Sequence, residues 1–486
     1  MNSFPVAELV LVVYTVSLVI LTIFSFHGFV MLYYQYKLRG KCKAVLPSVD
    51  TSQTVTVQLP LYNEVYVAER LINAVCNLDY PKNVLEIQVL DDSTDETTEI
   101  VEKLVLQKKA EGFNIKHIKR QVRKGFKAGA LKYGLEFASG EFIAIFDADF
   151  IPAPDFLKRT LAYFVSDKIG MVQTRWEHLN EKESILTRVQ AFALNGHFAV
   201  EQKVRNDAGF FINFNGTGGV WRKRTILDAG NWEDDTLTED LDLSYRAQLK
   251  GWKFIFLPDV TTPAQLPTEI LSLKNQQFRW TKGAIETAKK NLPAVWKSDL
   301  SFKIKLQSTF HLTNNFIFPF VVLVALLNLP LLFIKHQGNY NSFFNYSGIF
   351  ILAFISTFLL YVMAQKNIYE DWKKRIFIFP LFLSGTMGLA LSNTKAVLEG
   401  LLNKKSEFVR TPKFLSGNNA AKKKYLGNSK ISPLIFFEII FASYSLIAVL
   451  SSLYLSEFAA LPFNLMFFFG FFFVSILSLK EGLIKK

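Results

Sequence analysis

Phe142-Ile-Ala-Ile-Phe-Asp-Ala-Asp-Phe-Ile-Pro152 decides the fold. Five apolar residues run directly into two acids one residue apart. A short apolar run that stops at a polar loop reads as a β-strand. Successive strand side chains point to opposite faces. At a strand end the chain turns, however, so Asp147 and Asp149 can converge on one hard divalent cation, with a nucleotide diphosphate supplying the remaining oxygen ligands. Such an ion neutralises the diphosphate as it leaves. Asp-x-Asp alone occurs often by chance, and its place after an apolar strand is what gives it weight.

Working outward, Thr54-Val-Thr-Val-Gln-Leu59 and Glu86-Ile-Gln-Val-Leu90 carry the same strand signature, and Val67 to Leu78 between them has a helical period. Strands alternating with helices predict an α/β domain with a parallel sheet, whose ligands gather at the carboxyl ends of the strands. Polar motifs stand at each of those ends: Asn63-Glu64, Asp91-Asp92, then Asp147 and Asp149. This domain is expected over residues 50–285.

The rest of the 486 residues is of a different character. Half the chain is hydrophobic, with 47 phenylalanines, and the apolar residues are concentrated at its two ends. Val6 to about Tyr34 is long enough to cross a bilayer core of about 30 Å and is followed by Lys37, Arg39, Lys41 and Lys43. Basic residues stay in the cytoplasm, which predicts an outside N-terminus, an anchor over residues 1–37 and a cytoplasmic placement for the domain that follows. Residues 311–486 form a second membrane region, with spans expected at Phe316–Ile334, Gly348–Met363, Ile435–Leu455 and Leu461–Leu479. Ile376–Leu402 has basic flanks on both sides and reads as re-entrant or interfacial, with a sixth span as the alternative. Residues 286–310 mix lysines with Leu292, Trp296 and Phe302 as an interfacial amphipathic helix does. The net charge of +13 follows from lysines and arginines flanking apolar stretches. Membrane lipid is therefore the expected partner and nucleic acid is not. Two cysteines, Cys42 and Cys76, supply neither a disulfide framework nor a metal site.

Three further motifs each allow two readings. Asp91-Asp92-Ser-Thr-Asp95 is either the cap of a following helix or an acidic site for a nucleotide's base or ribose. Thr238-Glu239-Asp240 is either a capped helix start or a carboxylate base for an acceptor hydroxyl, preceded by the tight turn Asn215-Gly-Thr-Gly-Gly219. Gln276-Gln-Phe-Arg279-Trp280 is either a membrane-surface anchor or a set of groups for a diphosphate and a sugar ring.

Taken together and in this order, Asp91-Asp92, Asp147-Ala-Asp149, Thr238-Glu239-Asp240 and Gln276-x-x-Arg279-Trp280 resemble the D, DxD, TED and QxxRW signature of processive family-2 glycosyltransferases, the cellulose synthase superfamily. The likeness extends through Lys127-Ala-Gly-Ala-Leu131, His197-Phe-x-x-Glu201-Gln202, Phe214-Asn-Gly-Thr217 and Gly251-Trp-Lys-Phe254, and looks most like the cellulose synthase-like A and C branches, the glucomannan and xyloglucan-backbone synthases.

That resemblance implies a GT-A type nucleotide-sugar transferase domain inserted between transmembrane helices. Donor binding would fall to Asp91 or Asp92, Glu64, Lys127, Asp147, Gln276 and Arg279, and acceptor binding to Trp280. Asp149 with Asp147 would hold Mg²⁺ or Mn²⁺. Asp240 would be the general base, with Glu239 beside it. A gating loop is implied at 404–415, carried by Phe408, Arg410, Thr411 and Lys413. Gln265 departs from the glutamate many relatives carry at that position. The implied activity is inverting transfer of a hexose from GDP-mannose or UDP-glucose to a β-1,4-linked polysaccharide. The alternatives are a single-sugar transferase making a glycolipid, or a non-catalytic nucleotide-sugar sensor.

Overall fold

A computed structural model describes residues 6–40, 50–338, 340–406 and 432–483. Seven strands, β1 (Val55–Leu61), β2 (Leu85–Asp91), β3 (Asn114–Lys119), β4 (Phe142–Ile145), β5 (Ile169–His178), β6 (Gly219–Arg222) and β7 (Lys253–Ala264), form one sheet in the order β3-β2-β1-β4-β6-β5-β7. All four residues of β4 are buried: Phe142 and Ala144 pack on one side of the sheet, Ile143 and Ile145 on the other. This is why an unbroken apolar run makes a strand here rather than an alternating one.

The expected parallel sheet holds for β3-β2-β1-β4 and for β5 beside β7, but β6 runs antiparallel to both its neighbours. That reversal has a consequence for function. Gly219, the first residue of β6, pairs with Ile145, the last of β4. The turn Asn215–Gly219 therefore arrives at the same edge as Asp147 and Asp149. Cys76 is buried, and burial pushes its thiol up to about 11, so it stays protonated.

Outside the sheet domain, five helices among the described residues are long and apolar enough to cross a membrane: Val6–Lys37, Phe302–His336, Asn341–Ile368, Leu434–Tyr454 and Leu461–Leu483. The protein is an integral membrane protein. Trp372–Gly388 and Ala390–Leu401 form a pair bent by 48°. Both ends of this pair touch the sheet-domain side. Arg375 forms an ion pair with Glu181 at 2.5 Å, and Lys289 donates to the carbonyl of Leu401 at 2.8 Å. Residues 286–310 are divided between the helices Ile270–Lys297 and Phe302–Thr313, with Trp296 and Phe302 exposed.

Candidate active site

A cleft opens at the carboxyl ends of β1, β4, β5 and β7. It is closed by the Asn215 turn, the start of the Glu239–Leu249 helix and one face of the Ile270–Lys297 helix. Glu64, Asp92, Lys127, Asp147, Asp149, Glu239, Asp240, Gln276, Arg279 and Trp280 all line it. These residues span more than two hundred positions of sequence. Folding brings them to one place.

Lys127 stands at the centre. It sits in the first turn of the Phe126–Glu136 helix, whose start is set by Gly125 and Phe126, both with positive φ. For Phe126 this conformation costs roughly 1–2 kcal/mol, and such strain gathers at functional sites. The Lys127 ammonium lies 2.6 Å from Asp147 Oδ1 and donates to the Gly216 carbonyl at 2.8 Å. Burial works against its charge, but Asp147, Glu239 and Asp240 outweigh burial and raise its pKa. It is a fixed cation.

Glu239 and Asp240 open a helix whose preceding Thr238 gives no side-chain cap; the Thr238 hydroxyl lies 3.2 Å from that of Thr287 instead. The capping reading of this threonine is therefore not realised. Burial and then the charge of Glu239 push the Asp240 carboxyl up to about 7, with Lys127 opposing. Burial likewise raises Glu239. A carboxyl that titrates near neutrality can accept a proton and release it under working conditions.

Gly216, at φ +83°, lies against this pair. A Cβ added there would stand 3.0 Å from Asp240 Oδ2 and 3.4 Å from Lys127 Nζ. Gly216→Ala would meet both a backbone penalty of roughly 1–2 kcal/mol and a displaced Asp240. It is expected to lower transfer at least about tenfold, measured as initial rate, while the protein still folds by thermal unfolding. Native rates in a folded Gly216→Ala protein would show that the close approach has no role in catalysis.

Gln276, Arg279 and Trp280 have the i, i+3, i+4 spacing that shares one helical face, and all three face the cleft. The helix approaches Thr238 closely because position 283 is glycine; a Cβ there would lie 2.6 Å from Thr238 Cγ2 and 2.8 Å from its backbone nitrogen. The Trp280 ring is 6.4 Å from that of Trp176, which also packs on Phe150.

The two acids after β2 have different placements. Asp91 is buried and lies outside the cleft lining. Its Oδ2 meets His117 Nε2 at 2.8 Å and its Oδ1 accepts from the Ser93 amide at 2.9 Å. Burial would raise its pKa, but these hydrogen bonds outweigh it and lower it. Asp92 lines the cleft and is forked by Arg120 at 3.0 and 2.5 Å. Glu64 is buried at the cleft wall. Phe408, Arg410, Thr411 and Lys413 lie outside the described residues.

Sequence reasoning did not single out Trp176, His178, Tyr62 or Arg123, which also line the cleft. Trp176 and His178 alternate on β5, so the two share one strand face. Neither ring nitrogen of His178 has a hydrogen-bond partner among the described residues. Burial, then Arg175, lowers its pKa to about 4, leaving a neutral imidazole at the cleft. The Arg123 guanidinium lies 3.4 Å over the Tyr62 ring.

The carboxylates Asp147 and Asp149 suit Mg²⁺ or Mn²⁺. Both are hard oxygen donors in the one turn that the Phe150 amide closes on the Asp147 carbonyl at 3.0 Å, and Asp149 is only 7% exposed at the cleft wall. A second acidic cluster, Glu233, Asp235 and Asp242, lies outside the cleft lining. Its centre is already held by the Lys290 ammonium, at 2.5, 2.8 and 3.2 Å.

The sequence profile described as "Glycosyltransferase like family 2" matches residues 52–283. Glucomannan 4-beta-mannosyltransferase 1 of Cyamopsis tetragonoloba is 36% identical over 403 residues, which are 79% of this chain and 72% of that one. The chain belongs to glycosyltransferase family 2. Within the family it is similar to glucomannan 4-beta-mannosyltransferase 1 of Oryza sativa subsp. japonica, 41% identical over 56% of this chain and 53% of that one. It is also similar to the probable glucomannan 4-beta-mannosyltransferase 3 of the same plant, 36% identical over 75% and 66%. The motifs pointed to the cellulose synthase-like A and C branches, and these glucomannan mannosyltransferase relatives match the A branch. The chain thus spans 66% and 53% of the length of these two rice relatives. The family-2 fold is seen again in the mannosyltransferase PcManGT from Pyrobaculum calidifontis, solved with GDP-Man and Mn²⁺, at a TM-score of 0.54 and 19% identity over 80% of this chain and all of that one.

Proposed function

We propose that this family-2 transferase moves mannose from GDP-mannose to the end of a β-1,4-linked glycan, with inversion at the anomeric carbon. The observation that carries the proposal is the meeting of Lys127, Asp147, Asp149, Asp240, Gln276, Arg279 and Trp280 on one cleft. The mannosyltransferase relatives favour mannose over glucose as the sugar.

Lys127 and Arg279 place two cations where a diphosphate would lie, and Asp92 with the Tyr62–Arg123 stack marks the nucleoside end. Asp149 and Asp147 would hold Mg²⁺ or Mn²⁺, which when bound supplies positive charge at the departing diphosphate. Trp280 and Trp176 offer flat faces to the acceptor's terminal sugar. In the transfer the acceptor hydroxyl attacks the anomeric carbon, its proton passes to Asp240, and the bond to the diphosphate breaks. Lys127 and Arg279 keep the leaving group in line.

The sheet domain is read as cytoplasmic and the N-terminus as outside. The end of the first span meets that domain through Tyr34 and Phe210, 5.1 Å apart, and the last span ends against it through Glu481. With both its ends on the same side, the bent Trp372–Leu401 pair is read as entering the membrane and returning.

Purified protein in lipid nanodiscs, given labelled GDP-mannose or UDP-glucose in parallel, tests the reading. Insoluble product from GDP-mannose that a β-1,4-mannanase degrades is expected. Product that extracts with lipid would make it a glycolipid transferase, and no transfer from either donor would overturn the enzyme assignment. The rate is also expected to depend on pH. Asp240 accepts a proton only when ionised, so kcat/KM falls as pH drops through about 7. A profile flat from about pH 5.5 to about pH 8.5 would remove Asp240 as the base.

A further inference from the structure

The helix Ile270–Lys297 carries Gln276, Arg279 and Trp280, yet its own sequence does not cap its start. Glu269, at the N-cap position, makes no side-chain cap bond. The first free amides of a helix need acceptors when they are buried. Here they find them in the last membrane helix. The amide of Ile270 donates to Glu481 Oε1 at 2.8 Å and that of Leu271 donates to Glu481 Oε2 at 3.0 Å, across 211 and 210 positions of sequence. Both oxygens of one carboxylate are used, with its charge set against the positive end of the helix dipole.

A second tie lies one turn further on. Lys274, 6% exposed, pairs at 2.5 Å with Glu438, which is fully buried in the Leu434–Tyr454 helix, and lies 3.4 Å from Ser478 Oγ. Ile270 and Leu273 pack with Val474 between these two ties. The first two turns of the helix are therefore held on both C-terminal membrane helices, and Gln276 follows six residues after Ile270, about 9 Å along the axis. A hydrogen-bonded helix is stiff over that length. Where its first turn sits decides where the side chains of the next two turns point.

We propose that Glu481, with the Lys274–Glu438 pair, is a positioning residue: it sets the placement of Gln276, Arg279 and Trp280 over the cleft, so that the last membrane helices govern how the donor is held. The proposal rests on the reading above that Arg279 holds the diphosphate. A glutamine at 481 would keep the volume but offer one acceptor oxygen to two amides and turn an NH₂ group toward one of them. The helix start would shift or fray, and Arg279 would move with it.

The test uses the full chain in lipid nanodiscs and measures GDP affinity, with UDP in parallel, kcat and KM, and thermal unfolding. Glu481→Gln is expected to weaken GDP binding about fivefold or more, and Glu481→Asp, which keeps both oxygens, to weaken it less. The decisive arm is Glu481→Gln combined with Arg279→Ala. A residue that acts through Arg279 adds little once Arg279 is gone, so the two effects are expected to be strongly non-additive. Native GDP affinity in Glu481→Gln with only a lowered unfolding temperature, or effects that multiply in the double variant, would overturn the proposal. Native GDP affinity in Arg279→Ala would overturn the donor-binding reading as well, and thereby separates the two failures. Should Glu481→Gln not fold, the charge-reversed pair Lys274→Glu with Glu438→Lys replaces it. Recovery of GDP affinity relative to Lys274→Glu alone is expected, and a folded pair without recovery would overturn the proposal.

Discussion

Asp240→Asn is expected to lower sugar transfer by about 10³-fold, the middle of the range for losing a positioned base, while GDP affinity changes little. The substitution keeps shape and removes the proton acceptor. Two features make the expected effect large. Asp240 sits in the cleft at the start of its helix with its carboxyl pushed up to about 7, so it is basic enough to take a proton from a hydroxyl in the transition state. Lys127 also lies close enough to stabilise its charged form before the proton arrives. Glu239 is the neighbouring carboxylate that would inherit the role if the assignment were wrong. Rates within tenfold of native in Asp240→Asn, together with a large loss in Glu239→Gln, would transfer the role to Glu239. Donor affinity is the control, because a change there would mean that the diphosphate site had been disturbed.

Asp149→Asn carries the second large effect. Loss of a metal ligand in such a site removes several kcal/mol of charge stabilisation, and a loss of about 3 kcal/mol is about 10²-fold in rate. Asp147 has a second role besides any metal binding. The Asp147 carboxylate lies 2.6 Å from Lys127, whose side chain is 19% exposed, and removing it takes the ion-pair partner from a largely buried ammonium. Stability would fall along with activity. Asp149→Asn leaves that ion pair in place. Chelation of the native protein is expected to abolish transfer and Mn²⁺ or Mg²⁺ to restore it, whereas Asp149→Asn is expected to need much higher metal concentrations. Full activity of the native protein in excess chelator would remove the metal from the mechanism.

Part of the site was legible because its signals are local. The strand ending at Asp147 declares itself in five residues, and the i, i+3, i+4 spacing of Gln276, Arg279 and Trp280 needs nothing but a helix. The choice between Asp91 and Asp92 was not legible. Adjacent residues at a strand end differ only in which neighbour reaches them. Here His117, on β3, takes Asp91, while Arg120 just beyond β3 holds Asp92 at the cleft. The sequence likewise left Thr238-Glu239-Asp240 open between cap and site. The Thr238 hydroxyl settled the role of the threonine by turning to Thr287. Trp176 and His178 went unread because β5 is sited by its pairing with β7 and β6, and those partners lie some forty to ninety positions later.

By itself, the sequence determined three of the seven strands, β1, β2 and β4, which segments are apolar enough to enter a membrane, and which side chains carry charge at strand and helix ends. These follow from periodicity and composition within about twenty residues. Only the tertiary structure decided that β6 reverses and brings Gly216 against Asp240 and Lys127, and that Lys290 already fills the Glu233–Asp235–Asp242 cluster. The same holds for the capping of the Arg279 helix by a glutamate two hundred positions away. Each is a long-range pairing fixed by strand register and helix packing, and a one-residue slip would undo it without altering any local pattern.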